Sequence, residues 1–291
     1  MNIGWIGTGV MGASMAGHLQ KAGHALSVFS RTKKKAEGLI EKGAQWYGSP
    51  AEVAANADIV FTIVGLPPDV REVYLGEKGI LSGEPACSIV VDMTSSQPSL
   101  AKTLFEEAAK KGVASLDAPV SGGDVGARDA KLAIMVGGTR KIFDKILPLF
   151  QLMGPTISYM GGPGAGQHTK VANQILVAGN MIGACESLLY AVKQGLDMQQ
   201  VINIVGKGAA SSWAINILGP RVVKGDFGPG FFVEHFIKDM KIALEESPAI
   251  GLSLPGLAQV QQLYIAVQAQ GHNRSGTQAL FLALKALNGE P

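Results

Sequence analysis

Lys170, Asn173 and Gln174 are the residues whose types and spacing best suit proton chemistry. They lie in the stretch GAGQHTKVANQ, residues 164–174, where an α/β pattern ends and a helical pattern begins. At i, i+3 and i+4 of a helix, the three side chains project from one face. A lysine beside two carboxamides can exchange a proton with a substrate hydroxyl and bind it by hydrogen bonds. Taken alone, the stretch favours an ordinary solvated lysine, so a catalytic role for Lys170 depends on motifs elsewhere in the chain.

The segment that carries these residues reads as one long helix. Residues 167–194 contain no proline, only Gly179 and Gly183 weaken the helical pattern, and Gly195 ends it. At 1.5 Å per residue the helix would span roughly 40 Å, which is enough to connect two domains. The sequence therefore predicts an α/β domain over residues 1–163 and an all-helical domain over residues 164–291.

The composition describes a compact globular chain without an electrostatic footprint. Of 291 residues, 47% are hydrophobic and 16% are charged, and the net charge is +2. This balance argues against nucleic acid or an anionic membrane as a partner. The apolar run of residues 175–185 is too short to span a bilayer. Residues 2–6 read as a first strand rather than a signal peptide. We expect a cytoplasmic protein.

The positions of the cysteines and histidines also fit a cytoplasmic protein. Cys87 and Cys185 are far apart among apolar neighbours, which favours buried thiols in a reducing compartment over a disulfide. The five histidines show no metal-ligand spacing, so we expect no metal site.

A glycine-rich turn follows the first strand. The apolar run of residues 2–6 ends at Gly7-Thr8-Gly9-Val10-Met11-Gly12, and a helical pattern follows. Strand, GxGxxG and helix form the dinucleotide-binding fingerprint in its required context. We expect Gly7 to permit the tight turn, Gly9 to admit a pyrophosphate, and Gly12 to let the helix pack closely on the strand. The free N–H groups and positive dipole end of that helix would face the phosphates.

The end of the second predicted strand, residues 25–29, indicates which nucleotide is bound. An NAD-selective site usually carries Asp or Glu here, but this chain has Ser30, Arg31, Thr32 and then lysines. Hydroxyls and positive charge suit the 2′-phosphate of NADP, and the Arg31 guanidinium can bind that phosphate or stack on the adenine. The lysines are equally well explained as solvating the next helix.

Polar and turn-forming residues recur at the ends of later strands. Strand 59–64 stops at the loop Gly65-Leu66-Pro67-Pro68, and strand 88–92 stops at Met93-Thr94-Ser95-Ser96. Strand 113–116 precedes DAPVSGG, in which Ser121, Gly122 and Gly123 offer a hydroxyl and exposed N–H groups that suit a carboxylate. Each stretch is also ordinary turn chemistry, but their repetition at one sheet edge favours function.

The second half shows only helical patterns. Beyond the long helix, helices are predicted at residues 198–205, 212–218, 232–246, 255–270 and 275–287. The third begins near Phe231 and carries Lys238 and Asp239, for which a surface ion pair is the usual outcome. Trp213 and Phe231 are candidates for a substrate-facing wall, although aromatic residues more often lie in the core.

These stretches together resemble the β-hydroxyacid dehydrogenase family, which includes 3-hydroxyisobutyrate dehydrogenases, tartronate semialdehyde reductases, glyoxylate or succinic semialdehyde reductases and some serine dehydrogenases. The resemblance covers essentially the whole chain, through IGWIGTGVMGASMAGHL, DMTSS, DAPVSGGDVGA, LAIMVGG, GAGQHTKVANQ and PGFFVEHFIKDM. It implies a Rossmann domain, an all-helical domain and a homodimer or homotetramer. For Lys170 it also makes a catalytic role the favoured interpretation, in place of an ordinary solvated lysine.

The resemblance implies roles residue by residue. Lys170 matches the catalytic lysine, and Ser121, Gly122 and Gly123 match the substrate-binding loop. Asn173 falls in the amide motif, but many members carry asparagine where this chain has Gln174, so the substrate-contacting amide stays open. Further matches concern the cofactor at Ser95, Lys238, Leu66 and Pro67, and, more weakly, the substrate at Phe231. The SRTKK run resembles the NADP-using branch.

The leading hypothesis is therefore an NADP-dependent oxidoreductase that interconverts a small β-hydroxyacid and its semialdehyde, with Lys170 as general acid and base. A semialdehyde or glyoxylate reductase and an L-serine dehydrogenase are alternatives on the same scaffold. A 6-phosphogluconate dehydrogenase would have a far longer helical domain, and an imine reductase usually lacks the lysine. A non-catalytic NADPH sensor would be indicated by loss of Lys170 or Ser121, and both are present.

Overall fold

The structure is a computed structural model that describes residues 1–289. The chain divides into two compact units, Met1–Lys170 and a second unit that begins at Val171. The first is α/β and the second is helical, as the sequence predicts. The domain boundary predicted between residues 163 and 164 stays a prediction.

The first unit alternates strands and helices. Its strands are β1 (Asn2–Ile6), β2 (Ala25–Phe29), β3 (Gln45–Trp46), β4 (Ile59–Thr62), β5 (Ile89–Asp92), β6 (Ala114–Asp117), β7 (Val120–Ser121), β8 (Ala133–Gly138) and β9 (Thr156–Gly161). Its helices are α1 (Gly12–Lys21), α2 (Glu37–Ile40), α3 (Pro50–Ala55), α4 (Pro67–Leu75), α5 (Pro98–Lys110), α6 (Gly123–Arg128) and α7 (Arg140–Gln151). A 3₁₀ turn, Lys33–Ala36, precedes α2.

These strands form one sheet in the order β3-β2-β1-β4-β5-β6-β8-β7, with β9 paired to β8. The six strands from β3 to β6 are parallel, whereas β8 pairs antiparallel with β6 and β7. The order of these six is that of a Rossmann sheet. Because parallel strands end at the same edge, the loops after β1, β2, β4, β5 and β6 share that edge.

Both faces of this sheet are covered, so its central strands are apolar throughout. Trp5 and Phe61 stack on one face with ring centroids 5.7 Å apart, and Phe150 meets Phe61 edge-on at 6.1 Å. The alternate residues Ile6 and Val60 belong to the core on the opposite face. Two-sided burial explains why runs such as IVFT read as continuous hydrophobic stretches rather than alternating ones.

The long predicted helix is present as α8 (Ala165–Lys193), which begins in the first unit and continues into the second. By length and composition this helix could cross a membrane, unlike the shorter run weighed from the sequence. However, 39% of its most apolar window is buried, and the core helix of a soluble protein passes the same test. One such helix is therefore weak support for a membrane span.

The second unit contains α9 (Met198–Val205), α10 (Gly219–Val223), α11 (Val233–Glu246), α12 (Pro255–Val267) and α13 (Leu280–Leu287). The helix predicted over residues 212–218 is a π-helical turn, Ala214–Leu218, that leads into α10. The core includes Phe236 and Tyr264, whose rings meet edge-on at 5.0 Å. The buried Tyr264 hydroxyl donates to the Thr277 carbonyl at 2.7 Å, so its polar end is satisfied.

Candidate active site

The glycines of the turn between β1 and α1 have three different surroundings. Gly7 has φ +99°, and a Cβ there would overlap the Ile63 carbonyl oxygen. A Cβ on Gly12 would overlap the Gly7 carbonyl oxygen, whereas a Cβ on Gly9 would meet no atom within 4 Å. Gly7 and Gly12 therefore allow the tight turn and close packing expected of them, and Gly9 leaves open space over the loop.

This turn has the features that a dinucleotide pyrophosphate requires. The Thr8 hydroxyl oxygen is buried and has no hydrogen-bond partner within the described part of the chain. Met11, at the N-cap of α1, makes no capping hydrogen bond through its side chain, and Val10 is exposed. The unsatisfied donors at a helix N-terminus bind anions. The residues present therefore fit the phosphates of a dinucleotide.

Ser30, Arg31 and Thr32 follow β2 and precede the turn Lys33–Ala36. Arg31 is largely exposed, and its Nη1 lies 2.9 Å from Asp69 Oδ1 in α4. Exposed ion pairs of this kind contribute little stability, so Arg31 can exchange this partner for a phosphate. Sequence reasoning missed Asp69, because it lies 38 residues further along the chain.

Leu66 and Pro67 follow β4, which ends at Thr62, but they are not both in a loop as expected. Helix α4 begins at Pro67 with Leu66 as its N-cap residue. Proline fits the first turn of a helix because its missing N–H would have no partner there. Asp69 Oδ2 accepts a hydrogen bond from Leu66 N at 3.0 Å, which fixes this helix start.

A buried polar cluster lies where β4 and β5 end. Asp92 Oδ1 accepts hydrogen bonds from the Thr62 hydroxyl at 2.9 Å and from Thr94 N at 3.1 Å. Burial raises the pKa of Asp92 to about 6, although the hydrogen bonds from Thr94 and Thr62 oppose that rise. The Thr94 hydroxyl accepts from Val64 N at 3.0 Å, which joins the two loops and orders the segment that includes Ser95.

Ser121, Gly122 and Gly123 lie at the junction of β7 and α6. Gly122 and Gly123 have φ +133° and +64°, values that disfavour residues with a Cβ. Ser121 and Gly123 are half-buried, and Gly122 is exposed. The backbone therefore turns sharply here, and the carboxylate-binding nest stays a prediction.

The start of α8 is fastened to the ends of β5 and β6. Asp117 Oδ1 accepts from Gly164 N and Asp117 Oδ2 accepts from Gln167 N, both at 2.8 Å. Burial raises the pKa of Asp117, against the effect of these backbone hydrogen bonds. Lys170 lies one turn further along the helix and is 8% exposed. This degree of burial is unusual for a lysine and contradicts the solvated alternative.

In the second unit, Asn173 and Gln174 belong to one chain of polar contacts. Asn173 Nδ2 donates to Gln174 Oε1, and Gln174 Nε2 donates to Asp239 Oδ2, each at 2.7 Å. Asp239 Oδ1 lies 3.0 Å from Lys238 Nζ. The side chains of Asp239 and Lys238 are 3% and 13% exposed, so the expected surface ion pair is instead buried.

The two aromatic candidates of the second unit differ in environment. Phe231 is half-buried and packs against Phe236, with ring centroids 5.7 Å apart. Trp213 is 65% exposed. Their assignment to a substrate wall stays a prediction.

Sequence reasoning assigned no role to Asp69, Asp117 and Gln167 in the first unit, and it expected Asp239 in the second unit to form a surface ion pair. Two of them gave a signal in hindsight. Asp117 is an acid at the end of an apolar strand. Asp239 directly follows Lys238 and lies three residues after the buried Phe236, so it shares the helix face of Phe236. Within residues 1–289, no group of three or more histidine, cysteine or acidic side chains could hold a metal ion.

The family profile described as the NAD-binding domain of 6-phosphogluconate dehydrogenase matches residues 2–161. A second profile, described as NAD-binding of NADP-dependent 3-hydroxyisobutyrate dehydrogenase, matches residues 164–284.

Individual proteins also match along nearly the whole chain, among them these three. Probable 3-hydroxyisobutyrate dehydrogenase-like 1, mitochondrial, of Arabidopsis thaliana is 52% identical over 98% of this chain and 86% of its own length. The 2-hydroxy-3-oxopropionate reductase of Escherichia coli is 39% identical over 99% and 98%. The solved structure of Mycobacterium tuberculosis 3-hydroxyisobutyrate dehydrogenase with L-serine superposes with a TM-score of 0.88 at 30% identity, covering 98% of this chain and 99% of that one.

Proposed function

The chain belongs to the β-hydroxyacid dehydrogenase family and is an oxidoreductase of small hydroxyacids and semialdehydes, and from that premise we propose that it uses NADP and moves the proton through Lys170. The observation that carries the proposal is the burial of Lys170, at 8% exposure, one turn into a helix whose start is fastened to the dinucleotide-binding sheet. A lysine is buried in this way at a cost, which a role in proton transfer explains.

When bound, the nicotinamide accepts or supplies the hydride, and the protein handles the proton. In reduction, Lys170 Nζ donates a proton to the oxygen of the new alkoxide, and in oxidation it takes that proton from the hydroxyl. The ammonium form also stabilises negative charge as it develops on that oxygen. Ser121 and the backbone N–H groups of Gly122 and Gly123 bind the substrate carboxylate.

The remaining cofactor roles follow the same proposal. The turn formed by Gly7, Thr8, Gly9, Val10, Met11 and Gly12 binds the pyrophosphate. Ser30, Arg31 and Thr32 bind the 2′-phosphate. Further contacts to the cofactor come from Leu66, Pro67, Ser95 and Lys238. The choice of NADP is supported by the absence of an acidic residue directly after β2 and by the NADP-dependent dehydrogenase profile that matches the second half.

Of the two amides, we assign the substrate contact to Asn173. The carboxamide of Gln174 is occupied at both ends, by Asn173 and by Asp239, and this residue is 3% exposed. Asn173 is less buried and keeps its own carbonyl oxygen for a substrate hydroxyl. Phe231 stays a weaker candidate for a substrate contact.

The substrate is a small carboxylate-bearing hydroxyacid or semialdehyde of the 3-hydroxyisobutyrate type. A semialdehyde or glyoxylate reductase is the first alternative, supported by the similarity to the E. coli 2-hydroxy-3-oxopropionate reductase. An L-serine dehydrogenase is the second, because the M. tuberculosis relative has a structure with L-serine. We further propose a cytoplasmic homodimer or homotetramer, to be checked by light scattering at micromolar concentration.

The test is a reductase assay that follows NADPH and NADH separately against succinic semialdehyde, glyoxylate, tartronate semialdehyde and methylmalonate semialdehyde. L-Serine and 3-hydroxyisobutyrate are assayed in the oxidative direction. We expect turnover with NADPH and one preferred substrate. Preference for NADH would contradict the cofactor assignment. Tight NADPH binding without turnover of any substrate would instead indicate a non-catalytic NADPH sensor.

A further inference from the structure

Gln167, in the first turn of α8, makes two hydrogen bonds to the loop that follows β5, one on each side of Ser95. Its Oε1 accepts a hydrogen bond from Ser96 N at 2.9 Å, and its Nε2 donates to the Thr94 carbonyl oxygen at 2.7 Å. These two backbone groups flank Ser95. Gln167 is 1% exposed, so water does not compete for either bond. The carboxamide thus fixes the backbone immediately before and after Ser95.

The position of Gln167 is itself fixed by the sheet. Its backbone N–H donates to Asp117 Oδ2 at 2.8 Å, at the end of β6. The preceding residue, Gly166, approaches the sheet so closely that a Cβ would overlap the Met135 carbonyl oxygen and lie 2.7 Å from the Asp117 carbonyl oxygen. The first turn of α8 therefore cannot slide relative to the loops at the strand ends.

Lys170 follows Gln167 by three residues in the same helix, so the two side chains lie on one face. It is buried, at 8% exposure. The helix backbone between them is rigid, and the Gln167 side chain extends this rigid connection to the loop that carries Ser95. One carboxamide thereby joins the residue proposed to contact the cofactor to the residue proposed to move the proton.

We propose that Gln167 is a positioning residue that holds Ser95 and Lys170 at a constant separation. This inference rests on the proposed function, in which Ser95 contacts the cofactor and Lys170 is the acid and base. Hydride and proton must reach the adjacent carbon and oxygen of one carbonyl group, so the two delivering groups need a fixed spacing. A displacement of about 1 Å can cost about 100-fold in rate.

The hydrogen bonds require a side chain that accepts at one atom and donates at the other. Methionine has a similar length, but it cannot donate and its thioether sulfur accepts only weakly. Glutamate can accept from Ser96 N in both protonation states, but it can donate to the Thr94 carbonyl only when it is protonated. Burial raises the pKa of a carboxylic acid, which brings this switch toward the range of an enzyme assay.

The experiment compares Gln167→Met and Gln167→Glu with the wild type, using NADPH and NADPH deuterated at the transferred position. Gln167→Met should lower kcat about 10- to 100-fold and raise the deuterium isotope effect on kcat, with an unchanged Kd for NADPH. Gln167→Glu, normalised to wild type at each pH, should regain activity as the pH falls. Gln151→Met, at an exposed position ending α7, is the matched control and should behave as wild type.

A second readout needs neither cofactor nor turnover. Hydrogen exchange of the Ser96 amide, followed by NMR, should be slow in the wild type and in Gln167→Glu but fast in Gln167→Met. Equal exchange rates in wild type and Gln167→Met would overturn the proposed bridge. An unchanged kcat in Gln167→Met, or a Gln167→Glu profile parallel to wild type at every pH, would overturn its catalytic role.

These outcomes are separable from a failure of the proposed function. If Lys170→Ala retains activity, the assignment of the lysine is wrong, whereas the Ser96 exchange rates still report on the bridge. If Gln167→Met does not fold, the pH profile of Gln167→Glu decides the question, because the protonated form restores both hydrogen bonds.

Discussion

At the scale of single residues, three polar side chains stand out by their burial. Lys170, Gln174 and Asp239 are all less than one tenth exposed, although lysine, glutamine and aspartate usually lie at the surface. Buried polar groups need partners, and Gln174 Nε2 and Asp239 Oδ2 satisfy each other at 2.7 Å, one from α8 and the other from α11. Measuring both activity and stability after substitution at these positions therefore separates the loss of a chemical group from the loss of the fold.

Replacing Lys170 with alanine should all but abolish turnover while NADPH binding persists. Loss of a single group that stabilises an oxyanion costs about 100- to 1,000-fold in kcat, and the proton donor is lost as well. The measurement is kcat with the best substrate, alongside NADPH titration by fluorescence. Retention of more than about a tenth of wild-type activity would contradict the assignment, because that loss is far smaller than one such donor usually causes.

Arg31→Ala should change cofactor preference. A charge-assisted hydrogen bond contributes about 1.5–3 kcal/mol, so we expect KM for NADPH to rise about 10- to 100-fold and KM for NADH to change little. Lys34→Ala, in the neighbouring exposed turn, controls for loss of positive charge alone. Equal effects of Arg31→Ala on both nucleotides would mean that Arg31 does not bind the 2′-phosphate.

At the scale of elements, Lys170 is positioned by the contacts at the start of α8 rather than by the length of this helix. Its first turn is held by Asp117 and Gln167, and its second turn carries Lys170. The two amides of the following turn belong to the second unit. The helix therefore transmits the position of the sheet edge to Lys170 through one turn of rigid backbone.

Gly166→Ala tests this close approach. The new Cβ would overlap the Met135 carbonyl oxygen, so we expect a loss of about 1–3 kcal/mol in stability, as overpacking usually causes. Gly183→Ala in the same helix meets no atom within 4 Å and should stabilise by up to about 1 kcal/mol. Chemical denaturation of both variants measures the difference. Equal stabilities would show that α8 shifts without cost.

At the scale of the whole molecule, the two units compensate their buried carboxyl groups in different ways. The first unit places Asp92 and Asp117 side by side at the ends of β5 and β6, where backbone N–H groups compensate them. The second unit pairs the buried Asp239 with Lys238. The first arrangement makes the stability of the protein depend on pH.

Burial raises the pKa of Asp92 from its usual 3.8 to about 6. The folded protein then binds this proton more tightly than the unfolded chain does, so this group stabilises the fold at low pH. Stability falls by about 3 kcal/mol in total as the pH rises from well below 4 to well above 6, and about 2 kcal/mol of this is lost between pH 4 and pH 6. The Asp92→Asn variant lacks this dependence while its oxygen can still accept from Thr62 and Thr94.

The free energy of unfolding of wild type minus that of Asp92→Asn should therefore decrease by about 2 kcal/mol between pH 4 and pH 7. Urea denaturation at several pH values measures this difference, and subtracting the variant removes the contributions of the other titrating groups. A difference that is constant with pH would mean that Asp92 titrates normally in the folded protein.

The amino-acid sequence by itself determined the fold class, the parallel strands β1, β2, β4, β5 and β6, the long helix and the free buried cysteines. These depend on local periodicity, glycine and proline positions and apolar neighbours, all of which act over short stretches of chain. The sequence also indicated Lys170 and the glycine turn as chemically competent. It did not reveal the short strands β3 and β7 or the start of α4 at Pro67, because two-residue strands and proline-led helices carry little periodic signal.

Only the tertiary structure decided which polar residues bond to one another within each unit. Gln167 bonds to residues more than 70 positions earlier, Asp117 accepts from a helix that begins about 50 residues later, and Gln174 reaches Asp239 65 positions on. Such partners follow from strand order and helix packing, which bring distant segments to one sheet edge or one helix face. Whether Lys238 and Asp239 form a surface pair or a buried one depended on the same packing, since the sequence of an amphipathic helix does not specify which flank of its apolar face is covered.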